Sequence, residues 1–132
     1  MKTGDLGKEY ADRAVIFRQG ESGDWMYVVQ EGKVEVYLER DGAEIPLRLC
    51  REGDFLGEMA LFRGELRPYN ARAMGRARLL TVDKKNFLRR IQEDPTMAFR
   101  LVEELSRRIQ ELNEDIAVLS LALRDCMGEQ LR

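Results

Sequence analysis

A small all-β barrel or jelly roll over residues 1–82, a short helix over 83–94 and a long helix over 95–127 are predicted by three features of this 132-residue chain. Short runs rich in β-branched and aromatic residues recur as far as Val82, separated by Gly, Asp and Ser turns. At Asp83 the apolar period lengthens from two residues to a helical one. From Ala98 to Cys126 a helical spacing then continues with neither Gly nor Pro. The length suits a single domain, 1–132, with one core.

Residues 1–13 are polar, lack a stripe and read as a loose lead-in. Ala14-Val15-Ile16-Phe17 is a first strand closed by Gln19-Gly20, and Glu21-Ser22-Gly23-Asp24 has turn chemistry. Trp25 to Gln30 is a second strand, broken at Glu31-Gly32. Lys33 to Glu39 alternates, with Val34, Val36 and Leu38 on one face and Lys33, Glu35, Tyr37 and Glu39 on the other. Asp41-Gly42 is a hairpin turn, because both positions tolerate positive φ. The returning strand alternates Ile45, Leu47 and Leu49 with Glu44, Pro46 and Arg48. Pro46 has no N–H for a ladder, which places it at an edge or a bulge. Asn70–Met74 and Ala77–Val82 are two more strands joined at Gly75, giving seven or so short strands with no helix among them. Trp25, Phe55 and Cys50 are expected in the core.

Asp54 to Ala73 stands apart. Gly57, Glu58, Met59 and Ala60 make a small-residue turn with one carboxylate, and Arg67 follows after a short loop. A carboxylate accepts from sugar hydroxyls, glycine lets backbone N–H groups approach closely, and a guanidinium grips phosphate oxygens in a bidentate fork. Arg72 and Arg76, close by, read as surface charges.

Asp83 is placed to cap a helix whose Phe87, Leu88 and Ile91 share a face. Asp94-Pro95 stops it, and Pro95 suits the first turn of the next. In that long helix Val102, Ile109, Ile116 and Leu123 take heptad position a, while Leu105, Leu112, Leu119 and Cys126 take d. Mostly β-branched a and leucine d residues favour a parallel two-stranded coil, hence a homodimer through residues 98–126. The alternative is that the stripe packs on the chain's own barrel. A helix of roughly 30 residues spans about 45 Å, more than so small a domain covers. Leu101, Val118 and Leu121 fall off the seam, and Arg107-Arg108 reads as a solvated face.

Composition narrows the function. With 22 basic and 24 acidic residues, the net charge of −2 gives no general attraction to nucleic acid or acidic membranes. No histidine and two distant cysteines argue against zinc, iron–sulfur and haem chemistry, so no metal and no cofactor is expected. No apolar run reaches membrane-span length and Met-Lys-Thr-Gly-Asp is no signal peptide, which points to a cytoplasmic protein without membrane contact.

The chain resembles the cyclic-nucleotide-binding domain of the catabolite-activator-like regulators and of cyclic-nucleotide-dependent kinases, from about Lys8 to Cys126. The residues that carry the resemblance are Ile16-Phe17-Arg18-Gln19-Gly20-Glu21, Gly23 to Val29, Gly32 to Val36 and, above all, Gly53-Asp54-Phe55-Leu56-Gly57-Glu58-Met59-Ala60-Leu61. The last is similar to that family's phosphate-binding cassette. The resemblance implies a double-stranded β-helix (jelly roll), a hinge helix and a dimerisation helix. It implies a non-enzymatic regulator with cAMP or cGMP as ligand. Gly57 and the amides of Met59 and Ala60 would approach the nucleotide, Glu58 would accept from the ribose 2′-hydroxyl and Arg67 would pair with the cyclic phosphate. Leu112 and Asn113 fall where the family reads the base.

Two departures from the family pattern stand out. The residue after the phosphate arginine usually donates its amide to the ligand, and here it is Pro68, which has none. One lost donor to a charged oxygen costs roughly 1.5 to 3 kcal/mol. Tyr69 is bulky where a small or hydroxyl residue is common. These features motivate an alternative, a degenerate, ligand-free oligomerisation or adaptor module. The other departure is that the sequence stops at Arg132, where the regulators continue into a helix-turn-helix, so no direct DNA binding by this chain is expected. A cupin-type enzyme, the third reading, lacks the usual histidine ligands.

Overall fold

The computed structural model describes residues 7–130, so part of the expected 1–13 lead-in lies outside the described residues. The fold is a mainly antiparallel β jelly roll with a long C-terminal helix. Its strands are β1 (Lys8–Tyr10), β2 (Val15–Phe17), β3 (Trp25–Arg40), β4 (Ala43–Cys50), β5 (Phe55–Leu56) and β6 (Asn70–Asp83). Helix α1 (Glu58–Arg63) interrupts them, and α2 (Lys84–Glu93) and α3 (Pro95–Gln130) follow. Two compact units divide the chain, one ending at Leu88 and one beginning at Arg89.

In the first unit the sheet runs β1-β6-β3-β4, with β2 also on β6 and β5 on β3. Two expected strand breaks are instead bends in continuous strands. Glu31-Gly32 sits where the β3–β6 register shifts, from Val29 opposite Leu79 to Lys33 opposite Met74. Gly32 has φ 84°, and a Cβ there would lie 2.3 Å from the Arg76 carbonyl oxygen, so a bulge with no side chain keeps the ladder running through the bend. β1 claims Lys8–Tyr10 from the expected lead-in because Tyr10 packs against the core.

The hairpin turn forms as the sequence predicts, with φ 55° at Asp41 and 78° at Gly42. Pro46 lies on β4, which has β3 as its ladder partner, beside a register shift: Val36 faces Arg48 but Tyr37 faces Pro46. That shift changes which residues turn inward. Cys50 is fully buried opposite Val34, whereas Ile45 and Leu47 remain exposed despite their apolar character. Tyr37, expected on the polar face, is buried because Arg72 lies over its ring at 4.1 Å. Arg72 is no loose surface charge: it is paired with Glu35 at 2.8 Å and Glu44 at 2.9 Å, while Arg76 is exposed.

The core centres on Phe17, Tyr27, Val29, Val36, Leu56 and Leu79. Phe55 is buried as expected, but Trp25 is 38% exposed. The Asp83 carboxylate accepts from the Asn86 N–H at 2.8 Å, closing the first turn of α2. Phe87 is buried and meets Phe62 edge-on at 5.1 Å.

In the second unit α3 is continuous for 36 residues and passes through Gly128, beyond the expected end at 127. Val102, Ile109, Leu112, Ile116, Leu119 and Leu123 are all about 60% exposed along it. Val118 and Leu121 are exposed as well. Arg107 pairs with Glu104 and Glu111 along the helix, while Arg108 is buried rather than solvated. Among the described residues no helix is long and apolar enough to cross a membrane, and no cluster of His, Cys, Asp and Glu is placed to hold a metal ion.

Candidate functional site

The stretch read as a small-residue turn is the start of a helix. Gly57 is the N-cap of α1 with φ 78°, and Gly64 ends it with φ 64°, its N–H donating to the Ala60 carbonyl. Six helix-compatible residues bracketed by glycines were the signal for this element. Within a helix the first-turn N–H groups have no acceptor behind them, and here they belong to Glu58, Met59 and Ala60. Ala60 is buried, Glu58 half-buried and Met59 40% exposed.

Arg67 is 2% exposed. The chain around it is clamped to the turn before β3: the Arg67 N–H donates to the Glu21 carbonyl at 2.9 Å, and the Gly20 N–H donates to the Arg67 carbonyl at 2.8 Å. Asn70 reinforces the clamp, its amide exchanging hydrogen bonds with Gln19 at 2.8 and 2.9 Å. The backbone thus fixes where the guanidinium emerges, and aromatic faces take its flanks, with Phe17 at 4.6 Å, Trp25 at 5.5 Å and Tyr27 at 5.6 Å. Trp25 therefore has a position that explains its partial exposure: it shelters Arg67 rather than filling the barrel.

Arg67 Nη1 donates to the Gly57 carbonyl at 3.0 Å, while Nη2 is buried without a hydrogen-bond partner. A Cβ on Gly57 would lie 2.6 Å from Nη1, and one on Gly23 would lie 2.9 Å from Nη2. Two glycines thus leave room for the cation. Burial holds the guanidinium below the ordinary arginine value, opposed by the negative charges of Glu21 and Asp24. A buried cation with an unused donor is matched to an incoming anion.

Tyr69 stacks obliquely on Phe17 at 5.8 Å, and its hydroxyl accepts from the Gly57 N–H at 3.3 Å. Burial pushes the phenol pKa up, with the nearby Glu58 charge adding to it. Pro68 is exposed between Arg67 and Tyr69. Gly57, Glu58, Met59, Ala60, Arg67 and Tyr69 are thus brought together in the first unit. Leu112 and Asn113 lie on α3 in the second unit, both exposed. Sequence reading missed Arg48, whose Nε and Nη2 are buried on β4. Its signal was its place two residues before the buried Cys50, on the same face of a strand.

Comparison with known proteins bears on the family and the fold. Residues 7–94 match the family model described as cyclic nucleotide-binding domain. The chain is 30% identical over 122 residues to the cAMP-activated global transcriptional regulator CRP of Salmonella typhimurium, covering 91% of this chain and 57% of that protein. It thus spans a little over half the length of the curated relatives it matches. The crystal structure of the catabolite activator protein of Thermus thermophilus superposes with a TM-score of 0.76 at 30% identity, covering 89% of this chain and 56% of that one. The cGMP-bound form of the EAL enzyme Bd1971 superposes with a TM-score of 0.62 at 33% identity, over 78% of this chain and 28% of that one. With the cassette geometry and the family match over most of its length, the chain belongs to the cyclic nucleotide-binding domain family.

Proposed function

We propose that this chain is a non-enzymatic regulatory module that binds a 3′,5′-cyclic nucleotide, cAMP or cGMP, and forms a homodimer through α3. The observation that carries the binding is Arg67: a cation 2% exposed, with one donor unused, held over Gly57 beside a carboxylate-bearing helix start. In this reading Arg67 takes the cyclic phosphate, Glu58 the ribose 2′-hydroxyl, and the α1 amides of Met59 and Ala60 approach the same end of the ligand. Gly57 gives the close approach, Tyr69 holds the Gly57 amide, and Asn113 is the candidate base contact from α3. Relatives named as cAMP-activated and solved neighbours with cAMP or cGMP bound support the ligand class. The exposed apolar seam of α3 supports the dimer. No cofactor and no direct DNA contact enter the proposal.

Titration calorimetry with cAMP and cGMP tests it, with a saturable heat expected for at least one. A folded protein giving no heat and no thermal shift at millimolar nucleotide would exclude binding. Pro68 favours the second reading, a ligand-free adaptor of the same fold. Under that reading Pro68→Ala should create binding where the parent has none. Under the first, restoring the missing amide donor should tighten existing binding by roughly tenfold.

A further inference from the structure

Pro68 takes an amide away from the proposed phosphate end, and it also settles which way its neighbours turn. Its ring locks its own φ and disfavours a helical conformation at Arg67. Successive side chains of an extended segment point to opposite sides. Burial follows that alternation: Arg67 is 2% exposed, Pro68 is exposed and Tyr69 is half-buried against the core. Arg67 and Tyr69 therefore turn inward together. Two sets of contacts bring them to one place. Gly57 is gripped at both ends, its carbonyl accepting from Arg67 Nη1 at 3.0 Å and its N–H donating to the Tyr69 hydroxyl at 3.3 Å. Both side chains also flank Phe17, the guanidinium at 4.6 Å from the ring centre and the phenol ring at 5.8 Å.

A hydroxyl has one proton to give and two lone pairs to accept with. The Gly57 N–H uses a lone pair, so the Tyr69 proton is left over, and among the described residues nothing accepts it. Burial raises the phenol pKa, which keeps that proton in place at neutral pH. Arg67 Nη2 is likewise a buried donor without a partner. Two unused donors, one charged and one neutral, thus lie on either side of Gly57. That is the complement of an anion with two exocyclic oxygens, which a cyclic phosphate is.

We infer that the Tyr69 hydroxyl is a ligand-binding donor of this pocket, giving its proton to the phosphate of the cyclic nucleotide in place of the amide that Pro68 lacks. The inference rests on the cyclic-nucleotide reading above and says how the phosphate is held within it. The bulky residue after Pro68 is then its compensation.

The test is calorimetry with cAMP, cGMP and 2′-deoxy-cAMP on four proteins: the parent, Tyr69→Phe, Pro68→Ala and the double variant. Tyr69→Phe keeps the ring on Phe17 and removes only the hydroxyl. It should weaken all three ligands by roughly tenfold to a hundredfold, because they share the phosphate. In the Pro68→Ala background the restored amide serves the oxygen that the hydroxyl served, and the loss should shrink to within about threefold. A hydroxyl that only holds Gly57 in place would cost the same with and without Pro68, and that outcome overturns the inference. So does a loss confined to the two ligands with a 2′-hydroxyl, which puts the proton on the ribose instead. If circular dichroism shows that Tyr69→Phe is unfolded, O-methyltyrosine in place of Tyr69 keeps the ring and the acceptor for Gly57 and removes only the proton. The same losses are then expected. A folded parent that binds none of the three overturns the cyclic-nucleotide reading itself, whereas a parent that binds with an affinity indifferent to Tyr69→Phe overturns only the role of Tyr69.

Discussion

Arg67→Gln should weaken cyclic-nucleotide binding by at least about a hundredfold, the largest loss of any single substitution in the pocket. Charge and fork geometry are removed together, and Pro68 supplies no neighbouring amide to share the load. The unliganded protein should show the opposite tendency. Burial already holds Arg67 below the ordinary arginine value, so the apo fold bears a desolvation cost that an anion would relieve. The melting temperature of apo Arg67→Gln is therefore expected within a few degrees of the parent or above it, at about the scale that 1 kcal/mol shifts a domain of this size. The nucleotide-induced thermal shift should vanish. Binding retained within about threefold would show that the phosphate sits elsewhere.

The second large effect concerns assembly. Ile109 and Ile116 are both 60% exposed at a positions on α3. Charging both in the variant Ile109→Glu with Ile116→Glu should convert a dimer to a monomer at micromolar concentration, read by light scattering. Burying an isoleucine is worth about 1.5 to 3 kcal/mol, and a two-fold interface would lose four of them, which moves the dissociation constant by several powers of ten. Cys126, exposed near the far end of the seam, reports orientation. Mild oxidation should cross-link the parent between two copies of Cys126 if the helices run parallel, and should not cross-link the double variant. A monomeric parent would contradict the heptad argument outright.

Most of the fold was legible because it rests on local chemistry. The Asp41-Gly42 turn, the Asp83 cap and the edge position of Pro46 each follow from what one or two residues can adopt or donate. What local chemistry hides is continuity and facing. Gly32 reads as a break, yet it is the residue that lets β3 bend without ending, because its positive φ and the approach of the Arg76 carbonyl together exclude a side chain. On β4 the alternation of Ile45, Leu47 and Leu49 suggests an inward apolar face. The register shift at Val36 and Tyr37 turns Arg48 and Cys50 inward instead, and hydropathy gives no warning of that. In the cassette, residue types identified Glu58 and Arg67 as ligand chemistry. They did not disclose that Trp25 shelters Arg67 or that Tyr69 and Gly57 share a hydrogen bond, since those contacts join residues distant in sequence.

The pairing of β3 with β6 also governs when a site can exist. It joins Tyr37 to Asn70 at one end and Trp25 to Asp83 at the other, and the whole cassette lies in the chain between. Such distant pairings close slowly compared with helices. On the ribosome the clamp between Gln19–Glu21 and Arg67–Asn70 cannot be complete before Asn70, the first residue of β6, has emerged. A nascent chain ending anywhere before Asn70 lacks the Asn70 half of that clamp, so nucleotide cannot assist folding until synthesis has passed the cassette entirely.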